Sequence, residues 1–270
     1  MSLIRLYTDV LADFNPLVPI TSKPMFTFSI GRWEMSISNH MFTVTAAMLL
    51  LLIGIPLATR SRRTVPRGLE NLIESVCVFL REQLARPILQ ERTDRYIGFV
   101  WTTFFFILCL NLLGMVPVEK AVVLLTGKEN RLGGPATANI WVTGAMAVVA
   151  FFMTHIYGIK EQGFRHYIAN FAPPVPWWLK PLIYLLEIIS SFVRPFTLAI
   201  RLFANMVAGH MVLATFLGLI LIFKNYGAAV ASIVGVVALS FIELLVAFLQ
   251  AYVFTLLSTL YIGLSTAPEH

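Results

Sequence analysis

Charged residues and cysteine are scarce in this sequence of 270 residues. Aspartate, glutamate, lysine and arginine together make up 13%, about half their share in soluble domains, while 58% of the residues are hydrophobic. The two cysteines, Cys77 and Cys109, lie far apart in apolar surroundings and indicate neither a disulfide framework nor a metal site. With a mean hydropathy of +0.79, the composition excludes a soluble domain and indicates a polytopic membrane protein.

The motifs of soluble enzymes are also absent. The sequence has no Gly-x-Ser-x-Gly elbow, no phosphate-binding loop and no Cys-x-x-Cys pair, and we expect no cofactor. A net charge of +6 does not require a nucleic acid, because basic loops are expected on the cytoplasmic face of a membrane protein.

Five apolar segments predict an all-α polytopic membrane protein. Each is long enough to cross a hydrocarbon core about 30 Å thick as a helix. Together they place a single membrane domain over residues 41–270. The segments are residues 41–59, 97–118, 140–159, 181–223 and 227–264.

Two further segments are predicted to lie on or beside the membrane. Residues 1–40 mix polar and apolar positions and predict an irregular or amphipathic extracytoplasmic lead-in, without a cleavable signal peptide because no apolar core follows the first basic residue. Residues 68–86 place apolar side chains at helical spacing opposite charged ones, which predicts an interfacial amphipathic helix ended by Arg86 and Pro87. A helix packed on a partner subunit fits the same pattern equally well.

The last two apolar segments are too long for upright spans. At about 1.5 Å per residue, they would be about 64 Å and 57 Å long, roughly twice the thickness of the hydrocarbon core. Each could contain two spans, but neither has a hairpin turn in its middle, and Pro195 would kink the helix rather than reverse it. We therefore predict two strongly tilted helices joined by a hairpin at residues 224–227.

The distribution of arginine and lysine predicts the orientation in the membrane. Residues 60–95 hold eight arginines, against three basic residues in residues 1–40 and three in residues 118–138. Because basic loops stay on the cytoplasmic side, we expect residues 60–95 in the cytoplasm, the N-terminus outside and the C-terminus inside. In a mitochondrion the same segment would face the matrix.

Polar side chains lie deep within the fourth apolar segment. Arg201 is about 30 Å from either end of its segment, too far to reach the interface, and an arginine at that depth costs about 3 to more than 10 kcal/mol. Glu187, Arg194 and Asn205 lie on the same side of the helix as Arg201. His210 points to the opposite side, so the helix has two polar faces. Glu187 and Arg194 could simply pair with each other, although two helical turns are long for a direct contact.

The fifth segment carries a polar pair of its own. Glu243 and Gln250 are seven residues apart on one helical face. Glu243 could have a functional role, or it could be a structural carboxylate that is shielded from lipid and bonded to a neighbour. His155 and Asn139 fit satisfied polar residues near the ends of a span better than functional ones.

The fourth segment also contains a recognisable motif. Residues 201–206 read Arg-Leu-Phe-Ala-Asn-Met and are followed by Ala-Gly-His at 208–210, which resembles the signature of subunit a, the stator channel subunit of F-type ATP synthase. The resemblance covers about residues 60–270 and extends through residues 111–117 and 135–143. It implies five transmembrane helices and one interfacial helix, with the last two spans packed at a slant against a rotating ring of c subunits. It also implies a non-catalytic subunit whose two offset half-channels couple ion flow to rotation and ATP synthesis.

The resemblance implies roles in proton translocation for individual residues. Arg201 matches the arginine that faces the carboxylates of the rotor, and Asn205 and Gln250 match polar neighbours of that site. Asn139 stands where some relatives have an acidic residue. Ala204 departs from the family pattern, since many bacterial members have glycine there.

Two pairs complete the set of residues with implied roles. His210 and Glu243 match the pair associated with the half-channel that opens to the outside. Glu187 and Arg194 match polar positions toward the cytoplasmic exit. The order of histidine before glutamate resembles the alphaproteobacterial and mitochondrial branch of the family, because many bacterial members have the reverse order.

The resemblance implies partners and a location as well. The partners are the ring of c subunits, subunit b of the peripheral stalk, the remainder of the synthase and membrane lipids, in a bacterial inner membrane or, alternatively, a mitochondrial one. The competing class is a secondary transporter or ion channel with an intramembrane arginine, but the sequence shows no convincing internal repeat. A membrane anchor of a redox complex would need paired haem histidines, and His155 and His210 make a poor pair.

Overall fold

Five helices in the computed structural model are long and apolar enough to cross a membrane. The structure describes residues 24–30, 33–60, 68–116, 134–169, 171, 176–223 and 226–266. The membrane-spanning part of these residues is all-α, as predicted. Its five helices are α1 (Asn39–Ala58), α4 (Thr93–Met115), α5 (Ile140–Gln162), α7 (Lys180–Phe223) and α8 (Tyr226–Thr266).

The two longest helices are unbroken. α7 has 44 residues and α8 has 41, so each is more than about 60 Å long. Pro195 lies inside α7 without ending it, and the alternative of two spans within each segment is therefore wrong. The tilt of these helices follows from their length relative to the hydrocarbon core and stays a prediction. The predicted turn at residues 224 and 225 falls outside the described residues.

A β-hairpin precedes the first span. Strand β1 (Pro24–Ile30) pairs antiparallel with β2 (Trp33–Ser38), and Ile30 is the partner of Trp33 at the turn. The alternative of an irregular lead-in is wrong for these two strands, whereas an amphipathic lead-in outside the cytoplasm stays a prediction. Apolar and polar residues alternate with a period of two throughout β2 and from Phe26 onward in β1, which is the pattern of a strand, but the pattern is too short to stand out against the flanking charges.

The amphipathic helix runs further than predicted. α2 (Leu69–Phe79) continues through a π-helical segment (Leu80–Ala85) into α3 (Arg86–Leu89), so Arg86 and Pro87 do not end it. Pro87 lies in the first turn of α3, directly after the π-helical segment, and the backbone stays helical through it. The helical run ends instead at Gln90, whose φ is 51°.

The two halves of this amphipathic run differ in burial. Leu69 and Leu72 at its start are 71% and 59% exposed, while Leu80 and Leu84 are buried. The start of the run thus presents apolar side chains on the surface of the chain, as expected for a helix that meets lipid or a partner subunit. Its placement in the membrane interface stays a prediction.

Contacts divide the chain into two compact units, each of which is described by itself below. The helices α1, α4, α7 and α8 contribute residues to both. Unit 1 consists of Met1–Ala46, Leu110–Asn139 and Leu202–Leu249, and unit 2 consists of Ala47–Cys109, Ile140–Arg201 and Gln250–His270.

The end of α8 is anchored within unit 2. The guanidinium of Arg92 donates to the carbonyl oxygen of Thr266 at 2.5 Å, and the side chain of Gln162 donates to that of Ser265 at 2.9 Å. The last carbonyls of a helix lack partners within it, and a cation there also complements the helix dipole. These bonds hold the last turn of α8 in a defined position relative to α5.

Candidate functional site

In unit 1, Glu243 of α8 lies directly against the backbone of α7. A Cβ atom added at Gly209 would come within 2.7 Å of its Oε1 and 3.2 Å of its carboxyl carbon. Any side chain at position 209 would therefore push the carboxylate away. The glycine at this position makes the close approach possible.

His210 follows Gly209 on α7 and completes this polar region. Its side chain lies close to the backbone of Gly114 on α4. Its Nε2 and the Oε1 of Glu243 are both buried, and neither has a hydrogen-bond partner among the described residues. The structure thus brings His210 and Glu243 into one region, although no ion pair joins them within the described part of the chain. Most buried polar atoms in proteins have a hydrogen-bond partner, either a protein group or an ordered water.

An amide on α4 belongs to the same region. Asn111 is buried, and its Nδ2 donates to the carbonyl oxygen of Ala247, one helical turn after Glu243. Gly114, one turn further along α4, is needed because a Cβ there would lie 2.2 Å from the methyl carbon of Met206. Sequence reasoning did not single out Asn111 as a site residue, and the available signal was a lone amide inside an apolar span.

The position of Asn139 at the start of a helix explains why a polar residue is found there. It directly precedes α5 with an extended backbone, and its N–H donates to the carbonyl oxygen of Ala136 at 3.1 Å. Asparagine is among the residues that helix starts favour most. This position is consistent with a polar residue near a span end, and a role of Asn139 in translocation stays a prediction.

In unit 2, polar side chains surround a cavity of about 360 Å³. Glu187 and Arg194 of α7 line it and form an ion pair of 2.8 Å. The contact spans two turns because long side chains on a helix lean toward its N-terminus, which brings the guanidinium back toward Glu187. Arg194 also lies over the ring of Tyr261 on α8, 5.1 Å from its centroid.

His155 of α5 lines the same cavity and is hydrogen-bonded at both ring nitrogens. Its Nδ1 lies 2.6 Å from the hydroxyl of Tyr167, and its Nε2 lies 3.0 Å from the hydroxyl of Ser191. As expected, His155 is a satisfied polar residue, but it shares a cavity with Glu187. Sequence reasoning missed Tyr167, which lies on α6 (Phe164–Ala169), a helix of six residues between two of the predicted spans.

Arg201 lies on the exposed surface of α7. Within the described part of the chain it has no hydrogen-bond or ion-pair partner, and Ala204 and Ala208 near it on the same face are exposed as well. Small residues on the surface of a helix let a second helix approach it closely. Asn205 is half-buried in unit 1, and Gln250 is buried in unit 2, where its Nε2 has no partner among the described residues.

Comparison with known proteins gives the family. A family described as the ATP synthase A chain matches residues 40–263. ATP synthase subunit a of Anaeromyxobacter sp. (strain Fw109-5) is 39% identical over 89% of this chain and 56% of its own length. ATP synthase subunit a of Myxococcus xanthus (strain DK1622) is 38% identical over 89% of this chain and 76% of its own length.

A third relative is similar over a still larger share of the chain. ATP synthase subunit a of Chloroherpeton thalassium (strain ATCC 35110 / GB-78) is 36% identical over 95% of this chain and 74% of its own length. The chain spans little more than half the length of the Anaeromyxobacter relative. The family match covers all five long helices, together with the region of His210 and Glu243 and the region of Glu187. The chain belongs to the ATP synthase A chain family.

Proposed function

We propose that this chain is the proton-translocating stator subunit in the membrane sector of an ATP synthase and that it has no catalytic site of its own. The observation that carries the proposal is the position of Arg201. This arginine is exposed on a 44-residue apolar helix, and its side chain has no hydrogen-bond or ion-pair partner among the described residues. A charge within the hydrocarbon core of a membrane is costly unless an opposite charge or polar groups lie next to it. The carboxylates of a rotating ring of c subunits would supply it from outside the chain.

Two polar regions support a pair of half-channels. Along α7, Arg194 lies seven residues before Arg201 and His210 nine residues after it, which corresponds to about 10 Å and 14 Å of helix. We assign the region of His210 and Glu243 to proton uptake from outside. The cavity at Glu187 serves proton release to the cytoplasm. A proton would cross from one region to the other only on a carboxylate of the rotor.

Arg201 enforces this route. A guanidinium stays charged even when it is partly desolvated, so it cannot itself relay protons. Its fixed positive charge favours the ionised form of a nearby carboxylate and therefore drives proton release from the rotor. The same charge repels a proton that would pass directly between the half-channels. Asn205 and Gln250 would act as polar neighbours of this site.

The proposed partners are the other subunits of the synthase. The face with Arg201, Ala204 and Ala208 fits the helices of the c-ring, because small residues let a helix pack closely. Subunit b of the peripheral stalk and the remainder of the synthase complete the assembly. The bacterial relatives and the five apolar helices support a multi-pass protein of a bacterial membrane, and we propose the inner membrane.

The test of this function separates it from a transporter or channel that works alone. The tagged chain is purified from its own membrane in mild detergent and is also reconstituted alone into liposomes. We expect it to co-purify with a large assembly that contains a ring of small hydrophobic subunits, and to pass no protons by itself. Gradient-driven flux through the isolated chain would instead indicate a secondary transporter or channel.

The orientation is tested by labelling single cysteines. After Cys77 and Cys109 are replaced by serine, Glu91→Cys should react with a membrane-impermeant maleimide only in inverted vesicles, because residues 60–95 are basic and expected in the cytoplasm. Tyr226→Cys is the matched control, since Tyr226 is 93% exposed at the start of α8 and should react in intact cells. The opposite pattern of labelling would reverse the topology.

A further inference from the structure

His40, in the first turn of α1, is a buried titratable residue that the proposed proton path does not use. It is 1% exposed, and neither of its ring nitrogens has a hydrogen-bond partner among the described residues. A neutral imidazole in such a place leaves two polar atoms unpaired, which is costly. An imidazolium there would be far more costly, because a buried charge needs a partner or water. The packing around His40 therefore favours the neutral ring.

The first turn of α1 packs against residues 134–139, which lead into α5 and are called the cover segment here. The hydroxyl of Thr43 donates to the carbonyl oxygen of Gly134 at 3.1 Å. Thr43 lies three residues after His40 on the same face of α1, and both residues are buried. In the cover segment, Thr137 is fully buried, and its Oγ1 has no partner among the described residues. His40 thus lies on the face of α1 that meets the cover segment.

The cover segment also lies next to the region of His210 and Glu243. A Cβ added at Gly114, at the end of α4, would come within 3.2 Å of the Cα atom of Pro135. The side chain of His210 lies close to the backbone of the same glycine. Gly114 therefore contacts both the cover segment and the proposed uptake region. A displacement of the cover segment would change the packing at this region.

Among the described residues of unit 1, no charged group pairs with His40. None of the titratable residues in this part of the chain is a hydrogen-bond partner of either ring nitrogen. The cover segment and the end of α4, residues 110–116, carry no charge. Protonation in the closed packing would therefore leave the imidazolium buried and unpaired, whereas water solvates it once the packing opens. The titratable residues of this part are Glu34, His40, His210, Tyr226 and Glu243.

We propose that His40 is an acid-sensitive switch that keeps the cover segment in place while it is neutral and releases it when it is protonated. In the predicted topology, the first turn of α1 lies at the outer end of its span, so a proton from outside water binds the ring when the packing opens briefly. The imidazolium then shifts the equilibrium toward the open state, because only that state solvates its charge. Return of the proton to outside water restores the closed state. The expected consequence is faster proton uptake from an acidic exterior, which rests on the proposed stator function.

The switch is tested by labelling Thr137→Cys in the whole complex, with Cys77 and Cys109 replaced by serine. A membrane-impermeant maleimide is added outside right-side-out vesicles at pH 7.5 and at pH 5.5. The rate for Tyr226→Cys, at a position that is 93% exposed, corrects for the effect of pH on the thiol itself. A solvated histidine binds a proton near pH 6.5. We therefore expect the corrected rate for Thr137→Cys to be about tenfold higher at pH 5.5.

Two substitutions of His40 separate the switch from packing. His40→Leu places an apolar side chain of similar size in the same space and cannot be protonated, so labelling of Thr137→Cys should stay slow at both pH values. His40→Arg is charged at both pH values, so labelling should be fast at both. His166→Ala is the matched control, because it removes an exposed histidine of α6 and should leave the tenfold change intact.

Proton flux from outside through the membrane sector gives the second measurement. At a fixed pH difference across the membrane, flux should rise with acid outside in the wild type and lose this rise in His40→Leu. Equal corrected labelling of Thr137→Cys at both pH values, or none at either, would overturn the switch, as would a tenfold change that persists in His40→Leu. Flux that ignores His40 while labelling follows it would show that the cover segment does not control uptake. If labelling follows His40 but the wild-type complex passes no protons, the stator function is wrong and not the switch.

Discussion

Arg201→Ala should abolish ATP synthesis while proton leak through the membrane sector rises. Without the guanidinium, nothing fixed and positive drives the proton off a rotor carboxylate, and nothing repels a proton that passes between the half-channels. We expect synthesis to fall at least about a hundredfold, the scale on which a preorganised charge acts. The measurements are ATP synthesis in the intact complex and passive proton flux in vesicles stripped of the soluble catalytic sector.

Two further variants make the result specific to the guanidinium. Arg201→Lys keeps a charge but loses the planar fork and can deprotonate when desolvated, so coupling should fail here too. Arg165→Ala is the matched control, because it removes an exposed arginine of α6 outside the membrane-spanning helices. If Arg201→Ala still makes ATP at the wild-type rate, the proposed role of this residue is wrong.

Glu243→Gln should cut both proton flux and ATP synthesis by about tenfold or more, with the complex still assembled. Glutamine has nearly the same shape and can lie against Gly209, so packing is preserved, but the side chain no longer binds and releases a proton. The loss should appear in the stripped membrane sector as well as in the intact complex. Glu91→Gln is the matched control, since Glu91 is an exposed carboxylate outside the long helices.

Gly209→Val tests whether the position of the Glu243 carboxylate matters. A valine at this position would displace Glu243, because even a Cβ comes within 2.7 Å of its Oε1. We expect slow proton uptake although both titratable residues are still present. Normal flux in Glu243→Gln would show that the carboxylate is structural. Normal flux in Gly209→Val would show that its position is not critical.

The number and length of the membrane-spanning helices could be predicted from local sequence. An apolar run in lipid must satisfy its backbone hydrogen bonds internally, which leaves the helix as the structure for a single segment. This is why α7 continues through Pro195, as the absence of any turn signal indicated. Weaker local patterns did not predict the strands or the π-helical segment. The alternating pattern of β1 and β2 is short, and the π-helical segment before Pro87 has no distinct sequence pattern.

The polar groups of the site were predictable one by one, but not as neighbours. Glu187 and Arg194 stood out because charges are rare in apolar segments. That His155 lines their cavity depends on the packing of α5 against α7, and its partner Tyr167 depends on a six-residue helix. Helices this short leave no clear periodic pattern in a sequence.

By itself, the sequence determined five membrane-spanning helices, the presence of polar residues such as Arg201, His210 and Glu243 within them, and the resemblance to the family, because hydropathy, periodicity and motifs are local properties. Only the tertiary structure decided that Glu243 lies against Gly209 and that His155 bonds to groups on α6 and α7. Such contacts join residues that are far apart in the chain. Their geometry is set by how closely the helices pack, which no single segment encodes.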